Sequence, residues 1–384
     1  SITEPIINNN YATSGWHDIT SSSDGKNVFA VVRSGDIWRS IDSGVNWIKD
    51  TSVPPNFHGN TYKDWERITS SSDGTKLAAF ESSVWTSSDS GVTWLEAEST
   101  GLPNGRPKCV ASSSNGMKLF SAFSTGNIWR SIDAGQNWIE VATNGDKKMW
   151  WGITASSDGS KLAAVANHGS IWTSTNSGVN WHENSAFAGN NKKNWHGVTS
   201  SSDGTKLAAI VVNQNIWTST DSGVTWIEDS SVGATKKWMD ITSSSDGTKL
   251  VAVVEDGNIW KSIDSGVNWS EDTSIGDTKK WKAITSSSDG TKVAAAVLKG
   301  KIWPKSSTTA PATCSAWTKC TAGEKGSTPT PSVNRVCSSC DSGQYQASNT
   351  FEGTSCSMCS SGKTSPSGST SSSACVAPKT CGDK

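Results

Sequence analysis

The chain has little arginine, no long apolar run and no excess of either charge. Six of its 34 basic residues are arginine, and the basic residues nearly balance 35 acidic ones. The longest apolar runs, such as Val293 to Leu298, have about six residues, against the roughly 20 needed to span a bilayer. We therefore predict no membrane span and no nucleic-acid-binding surface. Because no basic and apolar leader follows Ser1, any signal peptide is expected to have been removed.

Leucine and methionine are also scarce, whereas tryptophan is abundant. The chain has 21 tryptophans against 7 phenylalanines and 3 tyrosines. A helical bundle needs leucine-rich faces, but large aromatic anchors suit short, half-buried strands. The composition therefore predicts an all-β protein.

Cysteine is almost missing from most of the chain and crowded at its end. Eight of the nine cysteines lie between Cys314 and Cys381, in a stretch rich in Gly, Ser and Thr, and Cys109 stands apart. An even, crowded set of this kind is typical of disulfides formed outside the cytosol. We predict an extracellular protein, either secreted or held at a cell surface.

Two markers recur together along residues 1–303 and define seven repeats of about 43 residues. A Ser-Ser-(Asp/Asn)-Gly corner places its acidic or amide residue at Asp24, Asp73, Asn115, Asp158, Asp203, Asp246 and Asp289. An (Ile/Val)-Trp pair places its tryptophan at Trp38, Trp85, Trp129, Trp172, Trp217, Trp260 and Trp303. Repeats of this length that each form a four-stranded meander are typical of β-propeller blades.

Each repeat contains four short segments with strand character. In repeat 6 they are "WMDITSS", "TKLVAVV", "NIWKSI" and "VNWSED", separated by corners that contain Asp and Gly. Seven repeats predict seven four-stranded blades. The last repeat lacks a fourth segment, so we expect Ile2 to Ile7 to supply the missing outer strand and close the propeller.

The corner before each fourth strand has the form Ser-x-Asp-x-Gly-x-(Thr/Asn)-Trp. It is present six times, from "SIDSGVNW" at residues 40–47 to "SIDSGVNW" at residues 262–269. This pattern resembles the Asp-box, or BNR, repeat of β-propellers such as sialidases, sortilin-type receptors and photosystem assembly factors. The acidic or amide position falls at Asp42, Asp89, Asp133, Asn176, Asp221 and Asp264, and we assign these residues a structural role in the turn.

The resemblance to sialidases does not extend to a catalytic set. Such an enzyme would need an arginine cluster, a tyrosine nucleophile with a glutamate partner, and usually six blades. No arginine falls in the last four repeats, and no HExxH, GxSxG, Walker or GxGxxG motif is present. We expect no enzymatic activity, no cofactor and no metal, and a sialidase-like glycoside hydrolase ranks last among the functions considered.

The positions at which the repeats differ are the candidate site. Basic residues precede the first-strand tryptophan, and two variable positions follow it near the mouth of the central channel. These two positions hold His17/Asp18, Glu66/Arg67, Lys108/Cys109, Trp151/Gly152, His196/Gly197, Met239/Asp240 and Lys282/Ala283. The candidate ligand-binding residues are His17, Trp65, Lys148, Trp150, Trp151, Lys193, Trp195, His196, Lys237, Trp238, Lys280 and Trp281.

Two interpretations of these residues stay open. Aromatic planes with cationic neighbours suit sugars that carry carboxylate or sulfate groups. The same tryptophans would also serve as packing between blades, and the lysines would then form a solvated rim balanced by acidic neighbours. The histidines lack metal-ligand spacing, and we expect them to lie at the surface.

The end of the chain forms a separate region. Residues 304–313 are a Ser/Thr/Pro-rich linker suited to O-glycosylation, and residues 314–384 contain two Cys-x-x-Cys pairs. A zinc site is disfavoured because this region has no histidine. The cysteine pattern resembles the modules of tumour necrosis factor receptors and ephrin-receptor-like repeats. That resemblance implies bridges Cys320–Cys337, Cys340–Cys356 and Cys359–Cys375, and leaves Cys314 and Cys381 unassigned.

Together these features predict a non-enzymatic recognition or adhesion protein. Its expected ligand is a glycan, including an anionic one, or a protein bound on the variable loop face. The alternative is a structural subunit of an extracellular filament, appendage or cell coat that assembles with copies of itself.

Overall fold

The computed structural model describes residues 15–54, 63–97, 106–123, 126–141, 148–229, 231–233 and 236–306, together with short strands between residues 324 and 358. The chain divides into two compact parts, residues 1–307 and 308–384. Within the described ranges, no helix is long and apolar enough to cross a bilayer.

The described part of residues 1–307 is built from consecutive antiparallel meanders. The first strands are β1 (Trp16–Ser21), β6 (Arg67–Ser70), β10 (Pro107–Ser112), β14 (Trp150–Ala155), β18 (Trp195–Ser200), β22 (Trp238–Ser243) and β26 (Lys279–Ser286). The second strands are β2 (Val28–Gly35), β7 (Leu77–Phe80), β11 (Leu119–Phe123), β15 (Leu162–Ala166), β19 (Leu207–Val211), β23 (Leu250–Gly257) and β27 (Lys292–Val297). The third strands are β3 (Ile37–Ser40), β8 (Val84–Ser87), β12 (Ile128–Ser131), β16 (Ile171–Ser174), β20 (Ile216–Ser219), β24 (Ile259–Ser262) and β28 (Ile302–Ser306).

The fourth strands are the shortest. They are β4 (Ile48–Lys49), β9 (Leu95–Glu96), β13 (Ile139–Val141), β17 (His182–Glu183), β21 (Ile227–Asp229) and β25 (Ser270–Asp272). The remaining elements of this part are the short strand β5 (Lys63–Asp64) and the 3₁₀ turns Ser185–Phe187, Gly189–Asn191 and Thr273–Ile275. Each strand pairs with the next one in its own repeat, and β5 and β26 also pair with the second strand of the preceding repeat.

The first strands surround a common axis. Each contacts the first strand of the next repeat, and β26 returns to contact β1. Backbone hydrogen bonds of 2.6 to 2.7 Å follow the same circuit, linking Ser23, Ser72, Ser114, Ser157, Ser202, Ser245, Ser288 and again Ser23. These serines belong to the Ser-Ser-(Asp/Asn)-Gly corners, so the repeated corner joins each repeat to its neighbour.

The hydrophobic core lies between neighbouring sheets. Second strands such as β19 are buried along their whole length, because both faces are covered by adjacent repeats. The tryptophans that begin the first strands, which we call the anchor tryptophans, are 0 to 4% exposed. They are Trp16, Trp65, Trp150, Trp195, Trp238 and Trp281. Pro107 takes this position in repeat 3.

Four of the anchor tryptophans join neighbouring repeats by hydrogen bonds as well as by packing. The Trp150 indole lies edge-on to Trp172 of its own repeat, with 6.3 Å between ring centroids. Its Nε1 donates to the carbonyl oxygen of Gly126 in the preceding repeat at 3.0 Å. Trp16 donates in the same way to Gly300 at 2.8 Å, which joins the first repeat to the last.

The Asp-box turns use their polar side chains internally. In repeat 5, Ser219 donates to Asp221 at 2.8 Å, and Asp221 accepts the backbone and hydroxyl groups of Thr225 at 2.9 and 2.6 Å. Gly223 has φ +85°, in the left-handed region where a side chain is disfavoured, and Trp226 folds back to donate to its carbonyl oxygen. The carboxylate oxygens are therefore saturated within the turn.

Two expectations about the boundaries need comment. Pro304 to Ser306 belong to β28 and pair with β27, so strand structure extends beyond residue 303 into the predicted linker. The predicted closing strand at Ile2 to Ile7 lies outside the described residues.

In residues 308–384, β29 (Glu324–Gly326) pairs with β30 (Cys337–Ser339), and β31 (Gln344–Tyr345) pairs with β32 (Ser357–Met358). The cysteines expected to form bridges fall outside the described residues, except for the backbone of Cys337.

Candidate functional site

The lysines that precede the anchor tryptophans lie over aromatic rings. The lysine two residues before the anchor places its Nζ 4.4 to 4.9 Å from the centroid of the third-strand tryptophan of the same repeat. The pairs are Lys63–Trp85, Lys148–Trp172, Lys193–Trp217, Lys236–Trp260 and Lys279–Trp303. The spacing of two puts the lysine on the same side of the extended chain as the anchor. Lys148 and Lys193 therefore stabilise the repeat and do not form a free rim.

The other predicted lysines have different surroundings. Lys237 forms an ion pair with Glu255 at 2.5 Å, whereas Lys280 is exposed. The anchors Trp65, Trp150, Trp195, Trp238 and Trp281 were predicted as ligand-contacting residues, but they are at most 1% exposed. Packing between repeats leaves them no face for a ligand, so these five are corrected to structural residues.

The residue after each anchor has a different environment. A β-bulge interrupts the pairing of the first and second strands at this position in every repeat except the second. Bulges re-aim a side chain and increase local twist. The residues of this axial ring are His17, Glu66, Lys108, Trp151, His196, Met239 and Lys282. All except the fully buried Glu66 are half-buried.

The next position along each first strand joins adjacent repeats. Asp18 accepts the backbone N–H of Ile68 at 2.9 Å, and Asp240 accepts that of Ile284 at 2.8 Å. Arg67 donates to the carbonyl oxygen of Lys108 in the next repeat. Gly152 occupies this position in repeat 4, where a Cβ would come 3.1 Å from the Cα of Gly197. Here the strands approach too closely for a larger side chain.

A basic cluster surrounds Glu66 on one side of the axial ring. Arg33 and Arg106 lie 3.6 Å from Glu66 Oε1, and Lys108 lies 3.7 Å from Oε2. Neither carboxylate oxygen accepts a hydrogen bond from any described residue. Arg106 also pairs with Asp64 at 2.5 Å. Three cations thus face the carboxylates of Glu66 and Asp64, so the cluster carries excess positive charge.

The cluster remains accessible to a ligand. The side chains of Arg33, Arg106 and Lys108 are 52, 40 and 36% exposed, whereas Glu66 is 1% exposed. A carboxylate or sulfate approaching from solvent would therefore meet the cations first. Guanidinium groups suit such anions because their N–H groups match the geometry of two oxygen atoms.

His17 and His196 are half-buried members of the axial ring, not surface residues as expected. His17 Nδ1 donates to the carbonyl oxygen of Glu66 at 2.8 Å, which assigns the proton to this nitrogen. Burial, together with the charges of Arg67 and Lys282, lowers the pKa of both histidines to about 3. Both imidazoles are neutral at physiological pH.

The other side of the axial ring is aromatic. Trp151 and His196 lie side by side with ring centroids 4.7 Å apart and planes inclined at 60°. Trp151 follows Lys108 around the ring, because β10 and β14 are neighbours. The ring therefore places a half-buried indole next to the basic cluster. Met239 follows His196, and Lys282 has its pKa lowered by burial and by the charge of Arg67.

Sequence reasoning included His17, Trp151 and His196 but missed Arg33, Glu66, Arg106 and Lys108 as a group. These four residues come from three repeats, and their spacing in the chain does not show that they meet. One signal was present, because arginine is scarce and, within residues 1–303, falls only in the first three repeats. Among the described residues, no group of His, Cys, Asp and Glu side chains is arranged to hold a metal.

Comparisons with known proteins show the fold. No protein-family model matches the chain, and no curated protein matches its sequence. Solved structures do match. YCF48 from Cyanidioschyzon merolae is 15% identical over 76% of this chain and 95% of its own, with a TM-score of 0.60. A structure of YCF48 bound to a D1 peptide is 17% identical over 79% of this chain and 99% of its own, with a TM-score of 0.60.

The GH74 xyloglucanase from Xanthomonas campestris is also similar in structure. It is 13% identical over 86% of this chain, with a TM-score of 0.61, and this chain covers 58% of its length. These matched proteins are β-propellers, and one of them, the xyloglucanase, is an enzyme. The chain is thus an all-β protein with a β-propeller fold. At these identities the likeness extends to the fold alone.

Proposed function

We propose that this protein is a non-enzymatic recognition module that binds an anionic glycan at the axial ring. The observation that carries the proposal is that two kinds of group lie on neighbouring strands of the axial ring. Arg33, Arg106 and Lys108 supply accessible positive charge, and Trp151 supplies an adjacent aromatic surface. A pyranose ring stacks on an indole through its C–H bonds, while a carboxylate on the same sugar pairs with a guanidinium group. Uronate-containing glycans combine these two features.

The absence of catalysis is part of this proposal. Glycoside hydrolysis commonly uses two carboxyl groups that flank the scissile bond. The half-buried carboxyls at the position after the axial ring, Asp18 and Asp240, each accept backbone N–H groups through both oxygens. They hold neighbouring strands together, which supports a structural role for them.

Isothermal titration with oligoglucuronate and with a neutral oligosaccharide of the same length tests the proposal. We expect binding of the uronate only, weakening as salt increases. Arg106→Gln and Trp151→Ala should each lower the affinity about tenfold, since charge-assisted hydrogen bonds and aromatic contacts are each worth roughly 1–3 kcal/mol. The matched control is Lys280→Gln, which removes an exposed cation outside the cluster and should change the affinity less than about twofold.

Three results would overturn it. Equal binding of the neutral sugar would remove the role of charge, and a loss with Lys280→Gln but not with Arg106→Gln would favour the lysine rim. Release of new reducing ends from either saccharide would show an enzyme.

A second candidate function, the structural subunit, is favoured by the outer edge of the sheets. Exposed aliphatic side chains recur there on Asp-box turns and fourth strands, including Leu95, Val224, Ile227 and Ile263, which are 71 to 80% exposed. A recurring apolar edge suits association with further copies of the chain. Light scattering over a range of protein concentrations would detect such polymers, and a constant monomer mass would exclude them.

We further propose that the propeller has seven blades closed by the N-terminal strand, followed by an extracellular disulfide-bonded module. The seven paired sequence markers and the contact of β26 with β1 support the blade number. The crowded cysteines between Cys314 and Cys381 support the module. Mass spectrometry of the non-reduced protein after proteolysis would identify the bridges, and finding free thiols throughout this region would contradict them.

A further inference from the structure

Three interfaces between neighbouring repeats are closed in the same way on the side that carries the Asp boxes. In repeats 3, 4 and 5, the lysine before the second strand reaches a serine of the next Asp box. Lys118 donates to Ser177 at 3.1 Å, and Lys161 donates to Ser222 at 3.3 Å. Lys206 donates to Ser265 at 3.3 Å. The cavities that remain between repeats 4 and 5 and between repeats 5 and 6 measure only about 10 Å³.

The interface between repeats 2 and 3 departs from this arrangement. Lys76 occupies the lysine position, but the Asp box of repeat 3 has Ala134 where the other boxes have serine. Among the described residues, the Lys76 ammonium has no hydrogen bond or ion pair, although its charge acts on the nearby Asp73 carboxylate. A groove of about 350 Å³ opens at this place, and we call it the 2/3 groove.

The Asp box of repeat 3 differs from the others at two positions, and both face the 2/3 groove. Ala134 has φ +58°, the same left-handed conformation as the serines of the other boxes, but it offers no hydroxyl to the neighbouring lysine. Gln136 replaces the valine of the other boxes. The other five boxes form the same turn with serine and valine at these positions. The turn therefore does not require Ala134 or Gln136, the two residues at the groove.

The walls of the groove combine one cation with exposed aliphatic surface. Lys76 lies on the wall formed by repeat 2, together with Leu95, which is 72% exposed. Met117, which is 38% exposed, and Gln136 lie on the wall formed by repeat 3. The carboxylate of Asp133 also faces the groove, but it already accepts hydrogen bonds from Ser131 and Asn137. Of these two charged side chains, only the Lys76 ammonium lacks a hydrogen-bond partner among the described residues.

We propose that the 2/3 groove binds an aliphatic carboxylate. The carboxylate would pair with the Lys76 ammonium and accept from the Gln136 amide, and the aliphatic chain would lie against Leu95 and Met117. The groove is within the size range of small-molecule sites, about 300 to 1,000 Å³. This site is separate from the axial ring, and it does not depend on the glycan-binding proposal.

Methionine NMR distinguishes the two sites. The chain has four methionines, of which Met117 borders the 2/3 groove and Met239 belongs to the axial ring. Titration of ¹³C-methyl-methionine protein with octanoate should shift the Met117 signal in a saturable way and leave Met239 unchanged. Octanol has the same chain without the charge, and it should bind at least about tenfold more weakly.

Two variants complete the test. Lys76→Met should weaken octanoate binding about tenfold and leave octanol binding unchanged. The double variant Ala134→Ser, Gln136→Val restores the residues of the other boxes, so Lys76 gains its acceptor and the groove closes. It should abolish the Met117 response without lowering thermal stability. A Met117 response that is equal for octanol, or that survives in the double variant, would overturn the proposal, as would a response at Met239 alone.

Discussion

The anchor tryptophans and the axial ring occupy adjacent positions on the same first strands, yet they obey different constraints. The anchor is tryptophan in six repeats because its indole fills the space between sheets, and in four of them it also donates to a carbonyl oxygen of the neighbouring repeat. The next residue lies at a bulge, half-buried near the axis, and it differs among His, Glu, Lys, Trp and Met. Tryptophan content alone therefore does not locate a binding site in this protein.

The largest expected effect comes from breaking the anchor position. Trp150→Ala should lower the free energy of unfolding by about 3 to 5 kcal/mol, because it leaves a cavity and removes a hydrogen bond between repeats. Trp151→Ala, one residue further on, should cost less than about 1.5 kcal/mol, because its side chain is only half-buried. Denaturant unfolding of the two variants measures the difference, and equal losses would contradict the division of roles.

An intermediate effect is expected at Asp240, on the position after the axial ring. Burial raises the pKa of this carboxyl to about 7, and the charge of Asp18 also raises it. The unfolded chain binds the proton with a pKa near 3.8, so the folded state holds it more strongly between about pH 4 and 7. The stability from this group is complete below pH 4 and is lost as the pH rises through 7.

Asp240→Asn keeps this position neutral and should remove that loss. The unfolding free energy of the variant, minus that of the original chain, should rise between pH 4 and 8, with a scale of about 1.4 kcal/mol per unit of pKa shift. Asparagine has one acceptor oxygen, so the variant loses one of the two backbone hydrogen bonds of Asp240. This loss lowers the free energy of unfolding by the same amount at every pH and leaves its slope against pH unchanged. Parallel pH profiles of the two proteins would show that Asp240 is charged in the folded state.

The smallest effect is expected at the lysines that lie on tryptophan rings. Lys236→Met removes the cation 4.5 Å from the Trp260 centroid and should cost about 0.5 to 1 kcal/mol. Lys237→Met is the matched control, because Lys237 is half-exposed and its surface ion pair with Glu255 contributes little. Thermal unfolding of both variants should rank Lys236→Met as the less stable. The reverse order would show that Lys236 behaves as a solvated surface lysine and gains little from the tryptophan ring.

Much of the fold could be predicted from the repeats, because each one is a local unit. The four strand segments predicted for repeat 6 coincide with β22 to β25, and the Asp-box corner has the expected pattern of side-chain bonds to its own backbone. These features depend on residues a few positions apart, so local sequence patterns are enough to predict them. The end of β28 at Ser306 was missed because Pro304 suggested a linker, whereas the strand accommodates it opposite Ala294.

The candidate site was predicted less completely, because its members meet across repeats. The sequence predicts Lys148 and Lys193 as ligand-binding residues, but in the structure each lies over the ring of a third-strand tryptophan. The cluster around Glu66 brings together Arg33, Arg106 and Lys108, which are distant in the chain. No local sequence pattern predicts that these side chains lie close together.

The sequence by itself determined the all-β class, the repeat length, the turn chemistry and the position of the anchor tryptophan in each repeat. It could do so because nearly every repeat contains the residues that produce these features. Only the tertiary structure decided which tryptophans are buried, which lysines are held on indoles, and which charged side chains surround Glu66. Burial and charge pairing depend on the curvature that brings neighbouring first strands together around one axis. A groove such as the one beside Ala134 likewise exists only once two repeats are packed side by side.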